Sequence, residues 1–254
     1  MLKENFVELN KYKEVKLFMS DKIWNNKCII SPSLITLDMC NLETQCRILE
    51  EAGINLLHID ILDGYFSPSM PLGIDTVKQL KKKTCLEFEA HVMAVTPQFF
   101  VDELIEAGVS QIVFHIETCE HVDGMLNYIH SKGIRAGVAL KPATSLNQLE
   151  YILEKCDSVL LMLINPGYAQ MKGESQVIYS RRKIADLHAM IKNRDLDTKV
   201  ILDGRVSAEN IMEYGSKDMA NIFVAGSTCI RKQSLLEDLK KIKIIENQIN
   251  KGKV

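Results

Sequence analysis

The chain is marked first by what it does not contain. Of its 254 residues, 31 are Lys or Arg and 33 are Asp or Glu, so neither sign dominates and the formal net charge is −2. That balance gives no electrostatic reason to expect nucleic acid or an anionic membrane as partner. No apolar run approaches the length needed to cross a bilayer. The opening "MLKENFVELNKYKEVKLFMSDKIW" mixes charges into its apolar residues and lacks the uninterrupted core of a signal peptide. The seven cysteines form no Cys-x-x-Cys pair and are odd in number, which reads as reduced thiols, mostly buried. A soluble, cytoplasmic protein is the expectation. The 13 Gly and 6 Pro do not concentrate into a linker, so a second domain is not expected. No Gly-x-Gly-x-x-Gly follows the first strand candidate, which argues against an open dinucleotide-binding sheet.

What is present is alternation. Short apolar, β-branched runs occur at 27–35, 55–61, 86–93, 111–116, 135–141, 158–164, 199–203 and 221–226. Amphipathic patterns lie between them, among them "NLETQCRILEEAG", "PQFFVDELIEAG", "SLNQLEYILEK" and "SAENIMEYGS". Several end in a glycine (Gly53, Gly108, Gly133) shortly before the next strand, where a left-handed helix cap is expected. Eight such units predict an α/β fold, a (β/α)8 barrel over residues 27–254, preceded by an N-terminal extension over 1–26. That extension is a candidate for closing the barrel floor or for an oligomer contact, and equally for a frayed end.

The polar residues inside the apolar runs locate a site. In "NLLHIDILDGYF", His58 and Asp60 are two apart and share a face, while Leu57, Ile59 and Ile61 suit the face toward the helices. Asp63 falls in the Asp-Gly turn and reads as a turn cap. The third strand places Glu87, Glu89 and His91 on one face, and Asp203 ends the seventh strand. His58, Asp60, His91 and Asp203 thus lie at the strand ends where barrel enzymes carry their active sites. Two imidazoles and two carboxylates converging there suit one divalent metal ion, Zn, Mn, Fe or Co. The competing reading is a set of hydrogen-bonded core polar groups. Glu89 is placed to accept the second N–H of a ligand histidine, or to form a simple buried ion pair. His115 reads as a satisfied core histidine, with a further ligand as the alternative; His121, His130 and His188 fall on helical stretches and read as solvated.

These residues, with "SPSL" at 31–34, "HIDILDGYFSP" at 58–68, "HVM" at 91–93, "ALKPATSL" at 139–146, "LMLINPGY" at 161–168, "LDGRVSAENI" at 202–211 and "FVAGSTCI" at 223–230, resemble the ribulose-phosphate 3-epimerases, which include allulose-6-phosphate 3-epimerase. The resemblance implies a metal on His58, Asp60, His91 and Asp203, and Asp60 and Asp203 as the pair exchanging the C3 proton of a ketose phosphate. It implies a metal-dependent isomerase, most simply acting on ribulose 5-phosphate, with a six-carbon ketose phosphate or a non-catalytic sugar-phosphate binder as alternatives. It further implies substrate contacts from Ser33, His91, Met93 and Met162, and a homo-oligomer. The family's phosphate loop is glycine-rich after strand six, whereas here Gly167 and Tyr168 are followed by Ala169 and Gln170. Gly204 is followed by Arg205 where the family has a second glycine. The Gly226-Ser227 pair is kept and is expected to open a helix N-terminus toward phosphate. Arg205, with Lys172, either replaces lost N–H contacts by a charged fork or marks a pocket reshaped for another sugar. Leu62 stands where the family usually has methionine. An aldolase or decarboxylase would need a lysine inside the barrel, and Lys141 is the candidate.

Overall fold

The computed structural model describes residues 23–167 and 173–252. The first 22 residues of the expected extension, and Tyr168, Ala169, Gln170 and Lys172, lie outside them. All eight strand expectations are met, within a residue or two at each end except for the first, which ends three residues short of the expected 35. The strands are β1 (Ile29–Pro32), β2 (Leu56–Leu62), β3 (Glu87–Met93), β4 (Gln111–His115), β5 (Arg135–Leu140), β6 (Ser158–Met162), β7 (Lys199–Asp203) and β8 (Ile222–Ala225). Every pairing is parallel and follows chain order, with β1 beside β8. A parallel bridge between Ser33 and His58 joins the remaining two edges and closes the barrel. Closure pairs both edges of the sheet formed by the described residues.

Among the described residues six α-helices lie between the strands and a seventh follows the last strand. They are α1 (Leu42–Glu51), α2 (Ile74–Lys81), α3 (Pro97–Ala107), α4 (Val122–Ser131), α5 (Ser180–Asn193), α6 (Ala208–Ser216) and α7 (Leu235–Asn250). None is long and apolar enough to cross a membrane. The α3 helix starts on Pro97, whose missing N–H costs nothing in a first turn, and stops at Gly108 with φ 75°. Gly53 and Gly133 adopt the same left-handed conformation. Ser207 and Asn210 form a reciprocal capping box at the start of α6.

One helix expectation fails. "SLNQLEYILEK" forms two 3-10 turns, Leu146–Leu149 and Leu153–Lys155, separated at Ile152 (φ −123°). Leu146, Leu149 and Ile152 recur every third residue, a spacing that suits three residues per turn as well as 3.6. Arg194 Nη1 takes the Glu150 carbonyl at 2.7 Å, a group an α-helix would have engaged internally.

Strand alternation sorts the core into two layers. Leu57, Ile59, Ile61, Phe88, Ala90 and Val92 point outward and pack under the helices. Leu56, Val113, Leu160, Ile201, Ile222 and their neighbours fill the barrel interior. Ile23 and Trp24 pack against that interior cluster, and the Arg135 guanidinium lies 4.8 Å from the Trp24 ring centroid. The end of the expected extension therefore covers the barrel floor. From the other terminus, α7 clasps β1: Glu246 Oε1 accepts the Ile30 N–H at 2.9 Å, and Asn250 pairs with both the N–H and the carbonyl of Cys28 at 2.8 Å.

Candidate active site

Parallel register sets His58 beside Glu89 and Asp60 beside His91, while Asp203 pairs with Met162 at the end of β7. All of β2 and β3 is buried, and their inward-facing polar residues meet inside the barrel. His58, Asp60, His91 and Asp203 each present one donor atom, and these atoms lie within 4.8 Å of one another. His58 Nε2 stands 3.3 Å from Asp60 Oδ1 and 3.7 Å from Asp203 Oδ2. His91 Nδ1 stands 3.7 Å and 3.5 Å from the same two oxygens.

Around this cluster the outward-facing atoms are taken. The Nδ1 atom of His58 lies 2.9 Å from Glu89 Oε1. Ser33 Oγ donates to Asp60 Oδ2 at 2.7 Å. His91 Nε2 meets His115 Nε2 at 3.0 Å, and His115 Nδ1 meets Glu117 Oε2 at 2.9 Å. Burial by itself would lower the His58 pKa, but the Asp60 and Glu89 carboxylates carry it well above the usual imidazole range. For Asp60 burial works upward, and His58 and His91 outweigh it and hold the carboxyl well below its ordinary value. His115 is different. Burial pushes it down to about 4 against the pull of Glu117. Glu117 is itself lowered to about 2, because His115, Thr144 and the Lys141 N–H together outweigh its burial.

The arrangement suits a divalent cation better than a closed hydrogen-bond network. His58 Nε2 and His91 Nδ1 are buried without hydrogen-bond partners, and both face the two carboxylate oxygens. Donor atoms about 2.1 Å from a shared tetrahedral ion would be separated by about 3.4 Å, close to the distances above. The electrostatics agree: Glu89 is fully buried and Asp60 nearly so, and buried carboxylates require a compensating charge. The four residues could hold a metal ion.

Above the cluster opens a cavity of about 870 Å³, counting space continuous with solvent. Ser33, Asp60, Leu62, Met93, Met162, Gly167, Asp203, Gly204, Arg205, Gly226 and Ser227, all named from the sequence, line it. His58 and His91 are fully buried beneath. At the far end the backbone is specialised. Gly204 has φ 107°, and a Cβ there would meet Ile164 Cγ1 at 2.8 Å and its backbone nitrogen at 2.9 Å. Arg205 follows with φ 49°, a left-handed conformation uncommon outside glycine. The Gln176 amide donates to the carbonyls of Gly204 and Arg205 at 3.2 Å and 3.1 Å and fixes this turn. Gly226 and Ser227 do not open a helix, contrary to expectation. The Cys229 and Ile230 N–H groups return to the Gly226 carbonyl in a single turn, Arg231 is extended, and α7 begins only at Leu235.

Other sequence candidates fall where their chemistry suggested. Asp63 caps its turn, with Oδ1 accepting from the Tyr65 and Phe66 N–H groups at 2.8 Å. His115 is a core histidine satisfied on both nitrogens. His130 is exposed and paired with Asp157, His121 is exposed and His188 half-buried. Lys141 places its Nζ 4.1 Å from the Phe66 ring centroid and does not line the cavity. All seven cysteines are free thiols as expected, but they are not mostly buried: Cys28, Cys46 and Cys156 are, Cys119 and Cys229 are half-buried, and Cys40 and Cys85 are exposed.

Comparison with known proteins now bears on this site. A family model described as the ribulose-phosphate 3 epimerase family matches residues 29–230. The chain belongs to that family. Ribulose-5-phosphate-3-epimerase, chloroplastic, of Arabidopsis thaliana is 33% identical over 228 residues, spanning 88% of this chain and 79% of the relative. Ribulose-phosphate 3-epimerase of Methanocaldococcus jannaschii is 34% identical over 214 residues, 84% and 89% of the two chains. The protein is therefore an isomerase of the epimerase type, and the family implies a sugar phosphate as its small-molecule substrate. Among solved structures, 3-hexulose-6-phosphate synthase from Salmonella typhimurium aligns with a TM-score of 0.61 at 14% identity, over 86% of this chain and 99% of that one. At such identity the likeness shows the barrel fold alone.

Three neighbours of this epimerase-family site were not singled out from the sequence. Glu117 lies beyond β4 in a 3-10 turn, outside any alternating pattern. Gln176 lies in the long interval after β6 and shows itself only through its contacts. Ser67 sits against Gly167, where a Cβ would come within 1.7 Å of its hydroxyl, so the loops after β2 and β6 touch. The pairing of His58 with Glu89 was available in principle: parallel neighbours at equal depth put those two side by side.

Proposed function

We propose that the protein inverts C3 of a ketose phosphate, interconverting D-ribulose 5-phosphate and D-xylulose 5-phosphate. The observation that supports this reading best is the convergence of Asp60 and Asp203, from β2 and β7, on one cavity over two buried histidines.

Inverting a carbon next to a carbonyl requires a base on one face of the substrate and an acid on the other. In this reading one aspartate removes the C3 proton, the other returns a proton to the opposite face, and the two exchange roles in the reverse direction. The Ser33 hydroxyl holds Asp60 Oδ2, leaving the carboxylate oriented toward the cavity. Met93, Met162, Leu62 and Ile164 supply apolar walls that exclude water from the exposed carbanion face. His58, Asp60, His91 and Asp203 would hold the divalent ion, Zn, Mn, Fe or Co. Such an ion, when bound, supplies Lewis-acid polarisation of the C2 carbonyl oxygen. Arg205, with Gly204, Gly226 and Ser227, lies at the cavity end suited to the phosphate, where a guanidinium can make a charged fork.

Incubation of the metal-loaded protein with ribulose 5-phosphate in deuterated water tests this directly. The expected result is xylulose 5-phosphate carrying deuterium at C3. Absence of both deuterium and product would overturn the assignment, and turnover of a six-carbon ketose phosphate alone would move it to that substrate.

A further inference from the structure

His58 and His91 face the same oxygens but are supported differently. Glu89 pairs directly with His58 Nδ1, because the register of β2 and β3 sets the two side by side. On its β4 side His91 has Val113 as register partner, so no carboxylate stands beside it there. Its Nε2 instead meets His115 Nε2 at 3.0 Å, and His115 Nδ1 meets Glu117 Oε2 at 2.9 Å. We propose that Glu117 is a positioning residue that acts through His115 to fix the proton of His91 on Nε2, turning the Nδ1 lone pair toward the cation site.

With both histidines neutral, the chain of donors leaves one consistent assignment. Glu117 Oε1 accepts from the Lys141 N–H at 2.7 Å and from Thr144 Oγ1, and these donors together with His115 favour the carboxylate, which has no proton to give. Its Oε2 must therefore receive the proton of His115 Nδ1. A neutral His115 then has a lone pair on Nε2, and the nitrogen facing it, His91 Nε2, must be the donor. In its neutral form His91 then keeps its lone pair on Nδ1, the atom 3.5 Å from Asp203 Oδ2 and 3.7 Å from Asp60 Oδ1, where a cation would take it. Both histidines are fully buried, so water cannot substitute for either partner. The Phe66 ring lies over His115 at 4.6 Å between centroids and carries Lys141 Nζ at 4.1 Å, which covers the pair.

The inference rests on His91 as a metal ligand, and Glu117→Gln tests it sharply. In that variant the amide oxygen keeps Lys141 and Thr144, while its NH2 faces His115 Nδ1. The His115 proton moves to Nε2, and the His91 proton is driven onto Nδ1, where the cation would bind. Zinc affinity, measured by competition with a chromophoric chelator, should fall roughly 10- to 100-fold. The metal-free parent, labelled with 15N-histidine, gives a readout that needs no variant. Two-bond 1H–15N correlations near pH 8 should show His115 protonated on Nδ1 alone and His91 carrying a proton on Nε2. A proton on His115 Nε2 would overturn the proposal whether or not the variant folds. Equal zinc affinity in parent and Glu117→Gln would overturn the relay alone, whereas a parent that takes up no zinc would overturn the metal reading beneath it.

Discussion

Ser33 meets β2 twice: its backbone bridges to His58, joining the first and second strands, and its hydroxyl donates to Asp60 Oδ2 at 2.7 Å. Barrel closure and the orientation of a candidate catalytic carboxylate are thereby set by one residue. The backbone role survives side-chain truncation; the side-chain role does not. Ser33→Ala should fold normally and lose roughly 10- to 100-fold in kcat, the range of a hydrogen bond to a charged group worth about 1.5–3 kcal/mol. Steady-state kinetics beside a thermal melt checks both halves, and a large drop in Tm with unchanged kcat would reverse the assignment.

Asp60→Asn and Asp203→Asn keep size and most hydrogen bonding while removing the base. Each should slow C3 deuterium exchange by at least about 10²–10⁴-fold, the usual contribution of general acid–base catalysis. Loss of a metal-binding carboxylate would add to that figure, so zinc content is measured on each variant. A variant that exchanges at the parental rate removes that residue from proton transfer.

Stripping the protein with a chelator should abolish turnover and lower its melting temperature. Returning Zn, Mn, Fe or Co should restore both, to different extents. Free metal at 100 times its Kd stabilises the folded state by about 2.7 kcal/mol through mass action alone. A melting temperature indifferent to added metal would argue that the four donors form a protonated hydrogen-bond network instead.

How much of this was legible beforehand follows from where each residue sits in a repeating pattern. His58, Asp60, His91 and Asp203 interrupt apolar alternation at strand ends, so their inward direction follows from a period of two. The helix expected at 145–155 failed because Leu146, Leu149 and Ile152 satisfy two periods at once. Glu117 lies in a 3-10 turn and Gln176 in an irregular loop, where no period says which way a side chain points; their places come from tertiary contacts with Lys141, Thr144, Gly204 and Arg205. The turn at Gly226 misled for a related reason. A Gly-Ser pair marks a place where backbone N–H groups are available, but it does not fix whether a helix or a single turn follows.

Acid stability should report on Asp238 in the first turn of α7. Its carboxylate is nearly buried and accepts from the Arg231 N–H, Nε and Nη2 and from Ser234 Oγ, at 2.7–3.1 Å. The Arg231 guanidinium, working against burial and helped by Ser234, holds the carboxyl well below the usual range. A depressed folded-state pKa means the stabilisation is complete above the unfolded value near about 3.9 and is lost as pH falls toward the lower folded one. Asp238→Asn should therefore melt several degrees below the parent at pH 7, with the gap narrowing below about pH 4. A gap independent of pH would mean that shape, not charge, ties this turn to the barrel.

The sharpest question about substrate choice concerns Arg205. It occupies a left-handed position at φ 49° beside Gly204, an arrangement a glycine would adopt at lower cost, so retaining arginine there calls for a compensating use. If that use is a charge-assisted contact to phosphate, Arg205→Ala should raise KM for ribulose 5-phosphate by roughly 10- to 100-fold and leave kcat nearly unchanged. Lysine would restore the charge but not the planar fork, so Arg205→Lys should recover only part of the affinity. The preference for phosphorylated over unphosphorylated ribulose should shrink by the same factor as KM rises. An unchanged KM in Arg205→Ala would place the anion elsewhere in the cavity and leave Arg205 as a support for the turn that Gln176 clamps.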